Sequence, residues 1–235
     1  MLAVVIVVIC VLGLVADRVA VRMAQAAVAS RLQGELNLPG RPDVAAHGFP
    51  FLTQVFSGRY DDVQVTARDV STRQVSRVTV RARFQGLHAP LAEITAGSID
   101  ALPVDRIDGT VALPYEQIPR LVNVPGLSIA LSGDAVLVQG RVTVMGQTFT
   151  ASAHARAIVR DGTVLVTAER ASVLGVPLPA SVLPLVARGL SFTLPELNLP
   201  FGLALTDVRP TADTLEVSAT AEHVVLRRGQ LPATG

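Results

Sequence analysis

The chain begins with an unbroken apolar run, Met1 to Ala16, which stops at Asp17-Arg18. As a helix rising about 1.5 Å per residue it spans roughly 24 Å, short of the ~30 Å hydrocarbon core of a bilayer. Residues 1–16 therefore read as a membrane anchor or an uncleaved signal. From Val19 onward the period changes. Val19, Ala20, Met23, Ala27, Val28 and Leu32 recur at three- and four-residue spacing, and Gly34 and Pro39-Gly40 end the pattern. This predicts an amphipathic helix over residues 17–36, its apolar face laid on a folded domain over 37–228, with a polar tail at 229–235.

Inside the folded domain the period drops to two. In Arg77 to Phe84, Val78, Val80, Ala82 and Phe84 take one face while Arg77, Thr79, Arg81 and Arg83 take the other. With Arg68 and Arg73 nearby, this is the strongest local basic excess, read either as a solvated strand face or as a patch for anionic headgroups. Leu87 to Asn123 is irregular, punctuated by Pro90, Pro103, Pro114 and Pro119. Leu127 to Ala171 predicts an antiparallel meander with strands at 136–138, 142–145, 149–158 and 164–168. Its turns fall at Gly133, Gly140, Gly146 and Asp161-Gly162. Ala151, Ala153, Ala155 and Ala157 line one face, which could accept a close-packed helix or leave room for an acyl chain. Val173 to Thr206 carries only Arg188 and Glu196 as charges, and its five prolines exclude a lipid-facing helix. A short helix over 180–189 between extended segments fits, either buried or lining a groove. Strands at 215–221 and 224–226 close the domain.

Gly48 to Val65 holds three of the seven Phe and one of the two Tyr, in a chain without Trp. Pro50 restricts its own φ and pushes Phe49 toward the extended region, so an extended, turn-like backbone is expected across Phe49 and Phe51. Ser57-Gly58 then reads as a turn and Val63 and Val65 as the opening of a strand. The aromatic residues read as a plug for one end of the core or as an apolar mouth for a greasy ligand.

Composition narrows the function. Half the residues are hydrophobic and 17% charged, which favours a core-rich folded protein. The net charge of +1 gives no nucleic-acid footprint. All 20 basic residues are Arg, and the single Cys10 lies in the apolar run, so no intrachain disulfide forms. The four histidines, His47, His88, His154 and His223, stand apart from any metal-ligand spacing. There is neither a nucleophile elbow nor a phosphate loop. Asp61-Asp62, and Asp105 and Asp108 flanking Arg106, are the carboxylates nearest to an acid–base pair. No catalytic residue, metal or cofactor is expected.

The block Gly48-Phe49-Pro50-Phe51-Leu52-Thr53-Gln54, followed by Ser57-Gly58-Arg59-Tyr60-Asp61 and Val63, resembles the signature of the LmeA-like family. These are actinobacterial envelope proteins with an N-terminal membrane segment. The resemblance implies phospholipid binding on the outer side of the cytoplasmic membrane. In the mycobacterial member it also implies a part in lipomannan elongation, and so possible lipoglycan-assembly enzymes as partners. Arg18, Arg22 and Arg31 would by the positive-inside rule put the downstream side in the cytoplasm; the resemblance puts it outside, and an extracytoplasmic domain is the expectation adopted.

Together these readings predict an α+β fold, a strongly curved and mostly antiparallel sheet wrapped around the long N-terminal helix. That architecture is similar to tubular lipid-binding (BPI-like) folds. Acyl contacts are expected from Phe49, Phe51, Phe56, Leu183, Leu185, Leu190, Phe192 and Phe201, with Arg59, Arg77, Arg81 and Arg83 at the headgroup. The alternatives are an envelope enzyme acting on a lipid-linked glycan through Asp105 or Asp108, and a membrane-docked scaffold.

Overall fold

The computed structural model describes residues 2–71, 75–96, 101–122, 124, 126–133, 135–144, 146–173, 176–179, 181–195 and 199–227. Met1, Arg73, Asn123, Met145, Ala180, Glu196 and the 229–235 tail lie outside them. In chain order the first half runs α1 (Leu2–Glu35), β1 (Asp43–His47), α2 (Phe51–Ser57), β2 (Arg59–Val70), β3 (Val78–His88), α3 (Leu91–Ala96), β4 (Ala101–Pro114) and α4 (Ile118–Leu121). The second half runs β5 (Ser128–Ser132), β6 (Ala135–Val144), β7 (Gln147–Arg160), β8 (Thr163–Val173), β9 (Val176–Pro177), α5 (Leu183–Leu190), β10 (Phe192–Thr193), β11 (Ala204–Pro210) and β12 (Thr214–Arg227).

The architecture is α+β with antiparallel pairing throughout, in two open sheets rather than one. The first is ordered β1-β2-β3-β4-β12-β11, the second β10-β8-β7-β6-β5 with β9 on β8. Between them lies the main core, built from Val136, Val138, Val164 and Val166 on the second sheet and Leu113, Leu215 and Val217 on the first. Ala151, Ala153 and Ala155 are each 1% exposed and face this core, so the small-residue row serves close packing. Helix α5 lies against β6, β7 and β8, and a Cβ on Gly189 would come within 2.9 Å of Val142. The predicted turn at Gly140 is instead mid-strand in β6, opposite Ala151, and 136–138 and 142–144 are one strand. The Asp161-Gly162 turn stands as read, with positive φ at both residues joining β7 to β8.

Residues 87–123, expected to be irregular, contain the 14-residue strand β4 between β3 and β12. Pro103 is tolerated because the last β3 pair is Leu87 with Val104, leaving Pro103 only β12 as a neighbour.

Helix α1 is not enclosed by a sheet; it packs on β1 and α2. Among its described side chains, from residue 10 on, Asp17 and Ala29 are buried, whereas Val19, Met23 and Val28 are 49%, 68% and 44% exposed. The docked stripe is thus Asp17, Val21, Ala24, Ala29 and Leu32, rotated from the one that hydrophobicity predicted. No helix among the described residues is long and apolar enough to cross a membrane.

One feature runs across the first sheet. The ladders of β2, β3, β4 and β12 all skip one row, formed by Asp61, Gly86, Asp105 and His223. On either side pairing is intact, as in Tyr60–Leu87–Val104–Val224 and Asp62–Gln85–Arg106–Glu222. Each strand carries one additional residue at this level, so its apolar face shifts phase. The spacings Tyr60/Val63, Phe84/Leu87, Val104/Ile107 and Ala221/Val224 are all three instead of two. Gly86 (φ 61°) and His223 (φ 52°) adopt the left-handed region there. It is the sheet-wide counterpart of a β-bulge, which bends strands and increases their twist.

Candidate functional site

The aromatic block folds around a short helix. Phe51 starts α2, is 4% exposed, and meets Tyr60 with ring centroids 6.1 Å apart. Burial pushes the Tyr60 phenol above its ordinary value. Gln54, also buried, donates from Nε2 to the His47 carbonyl at 3.3 Å and accepts the Asp61 N–H at 3.0 Å, tying α2 to β1 and β2. Gly58 closes the helix in the left-handed conformation (φ 67°), and a Cβ there would lie 2.9 Å from Pro90 Cα. The expected extended backbone at Phe51 is replaced by helix because Asp17 on α1 accepts the Leu52 N–H at 2.8 Å. Pro50, at the N-cap, supplies no acceptor. Arg18 sits 3.5 Å from the other Asp17 oxygen and 5.3 Å above the Phe49 ring. Phe51 is therefore a plug, while Phe49 and Phe56, 59% and 81% exposed, face outward.

The other apolar candidates lie elsewhere. Leu190 is fully buried in the main core, and Leu183 and Phe192 pack on its margin from α5 and β10. Leu185 is exposed on α5. Phe201 stands apart from both groups, beside β12. The structure thus distributes the eight residues over three parts of the fold.

Each of the four headgroup candidates already meets a carboxylate. Arg59 donates to Asp105 at 2.7 Å and Arg77 to Glu116. Arg81 reaches Glu216 at 3.1 Å, and Arg83 makes a two-pronged contact with Asp62 at 3.0 and 2.9 Å. Asp62 raises the Arg83 guanidinium pKa above its ordinary value by this bonding and by its charge. Arg81 and Arg83 project from the polar face of the first sheet beside a small hollow of about 230 Å³.

The larger concavity, about 790 Å³, is lined by Phe201, Gly202, Thr220, Ala221, Glu222, His223, Val224 and Val225. That volume falls within the ~300–1,000 Å³ usual for small-molecule sites. It opens along the edge of β12 beyond Thr220, where β11 pairing ends. Ala221, Val224, Val225 and Phe201 supply apolar surface; Thr220, Glu222 and His223 supply polar groups. Arg106 joins from β4, bonding Glu222 at 3.0 Å and Asp108 at 3.0 Å. Asp105, the acceptor of Arg59, occupies the skipped row level with His223 and lies over Gly86 on the β3 side. Of these lining residues only Phe201 was picked out from sequence. The available signal was the phase shift at Ala221-Glu222-His223-Val224, which marks a bend.

Among the described residues no group of three His, Cys, Asp or Glu side chains could hold a metal. Asp105 and Asp108 are engaged by Arg59, Arg106 and Thr220.

No curated protein and no solved structure matches this chain. A family model does match, over residues 15–220, which takes in α1 from the end of the apolar run and nearly every strand. The chain belongs to the LmeA-like phospholipid-binding family.

Proposed function

We propose that this chain is a non-catalytic phospholipid-binding protein of the cell envelope, supporting lipid or lipoglycan (lipomannan-type) assembly. Residues 1–16 hold it to the cytoplasmic membrane with the folded domain on the outer side. The observation that carries lipid binding is the family match over residues 15–220. The concavity beside Phe201 is the site with room for a ligand. An acyl chain lies against Phe201, Ala221, Val224 and Val225, where burial yields about 25 cal/mol per Å². The phosphate exchanges with a carboxylate for the guanidinium of Arg106 or Arg59, whose planar donors suit it. Engagement of Asp105 and Asp108 in structural pairs supports the non-catalytic reading. The skipped row, with Gly86 and His223 in the left-handed region, supports the reading of a curved, BPI-like sheet.

A phospholipid carrying a diazirine on its acyl chain, photolysed with the full-length protein, tests the site. Peptide mapping is expected to find adducts in 201–202 and 220–225, diminished by Phe201→Asp. Adducts confined to other segments, or indifferent to Phe201→Asp, would exclude this concavity.

A further inference from the structure

Among the described side chains, the folded domain first touches α1 where the apolar run ends. Upstream, Val11, Leu12, Leu14 and Val15 are 46–62% exposed, clear of the domain. At Asp17 and Arg18 contact begins abruptly, through the Leu52 N–H and the Phe49 ring. If residues 1–16 enter hydrocarbon, the Phe49–Ser57 segment is held at the level of the headgroups.

Its outward surface has the composition for that depth. The buried side of α2 is Phe51 and Gln54, and helical spacing puts Thr53 and Phe56 opposite them. Phe56, at 81%, is the most exposed large apolar side chain among the described residues, and Phe49 and Leu91 add 59% and 40%. Gly58 brings α2 against Pro90, so the start of α3 borders the same surface. Arg18 stands beside it on α1, and Arg22, four residues further on the same helix side, is exposed and meets no carboxylate among the described residues. Amphipathic aromatic and basic groups gather at the bilayer interface, and each Arg near anionic lipid adds attraction.

We infer that Phe49 and Phe56, flanked by Arg18 and Arg22, form a second membrane contact that seats the folded domain on an anionic phospholipid surface. This rests on residues 1–16 lying in the membrane. The contact fixes the orientation of the first sheet relative to the bilayer, which a single helix would leave free.

The chain has no Trp, so one introduced indole reports its own surroundings. Full-length Phe49→Trp and Phe56→Trp proteins are reconstituted in phosphatidylcholine–phosphatidylglycerol vesicles, with and without bromine on the acyl chains. Phe149→Trp, at the exposed start of β7, is the control. Blue-shifted emission quenched by bromine at positions 49 and 56, but not at 149, is the expected result. Equal emission in both vesicles at 49 and 56 overturns the seat while leaving lipid binding to the crosslinking result. Failure of the full chain to float with vesicles overturns it by removing the anchor. Quenching that persists in Phe201→Asp separates the seat from the concavity.

Discussion

Asp17 and Leu52, separated by 35 residues in sequence, are joined by a 2.8 Å hydrogen bond from the Leu52 N–H to the Asp17 carboxylate. A side chain on α1 thereby caps α2, the role a residue at position 50 would fill were it not proline. The acceptor is buried, Asp17 being 2% exposed, while Leu52 is half-buried. The bond also fixes where α1 meets the domain.

Removing the acceptor leaves a half-buried helix N–H without its cap, which costs about 1 kcal/mol. Asp17→Ala should lower the denaturation midpoint and selectively speed amide exchange in 51–57. Asp17→Asn keeps an acceptor oxygen and should cost less. Equal effects of the two variants would mean that the cap contributes nothing.

Leu190 separates core from groove. Fully buried at the end of α5, it should cost about 2–5 kcal/mol on Leu190→Ala. Phe56→Ala, at 81% exposure, should leave the urea midpoint nearly unchanged. Comparing the two midpoints tests whether the structure has sorted these apolar candidates correctly.

Gly86 tolerates no side chain. Its φ is positive, and a Cβ would strike the Asp105 carboxylate that lies across it. Gly86→Ala should destabilise by about 1–3 kcal/mol. Adding Asp105→Gly should recover only the collision, leaving the backbone cost, as urea unfolding would reveal.

The arginines divide by position. Arg83→Ala removes an exposed pair with Asp62 and should leave the urea midpoint nearly unchanged, with lipid crosslinking intact. Arg106→Ala, behind the concavity, should reduce crosslinking yield. The reverse ranking would return the headgroup to the β3 stripe.

Two phenols give a pH dependence. Burial raises the pKa of both Tyr60 and Tyr115 above the ordinary phenol value, and at Tyr115 the Asp213 charge adds to this. A raised folded pKa means the folded protein holds the proton more tightly. The associated stability is whole below pH ~10 and is lost as pH climbs through the folded values. Absorbance of tyrosinate should rise later in the folded chain than in urea.

Much of this fold was legible in local patterning. The β3 alternation from Val78 to Phe84 and the Asp161-Gly162 hairpin required only neighbours in sequence. β4 was obscured because Pro103 and the Asp105-Arg106 pair break its alternation; the break makes sense only when β2, β3 and β12 break at the same level. The α1 face was misjudged because it docks through a carboxylate and alanines, leaving Met23 outside. Of the candidate site, Phe201 was visible as an apolar residue, but nothing local indicated that it would face His223 and Val224 across a strand edge.

β12 has β4 beside it from Thr214 to Arg227, apart from the skipped His223, but β11 only as far as Thr220. Among the described residues, Ala221–Arg227 therefore present unpaired backbone donors and acceptors on one side, a template for another chain's strand. His223 interrupts that template with its left-handed turn, and Glu222 and Arg227 add charge. The left-handed residue beside the concavity thus also shortens the straight edge available for intermolecular pairing, which disfavours aggregation through the sheet.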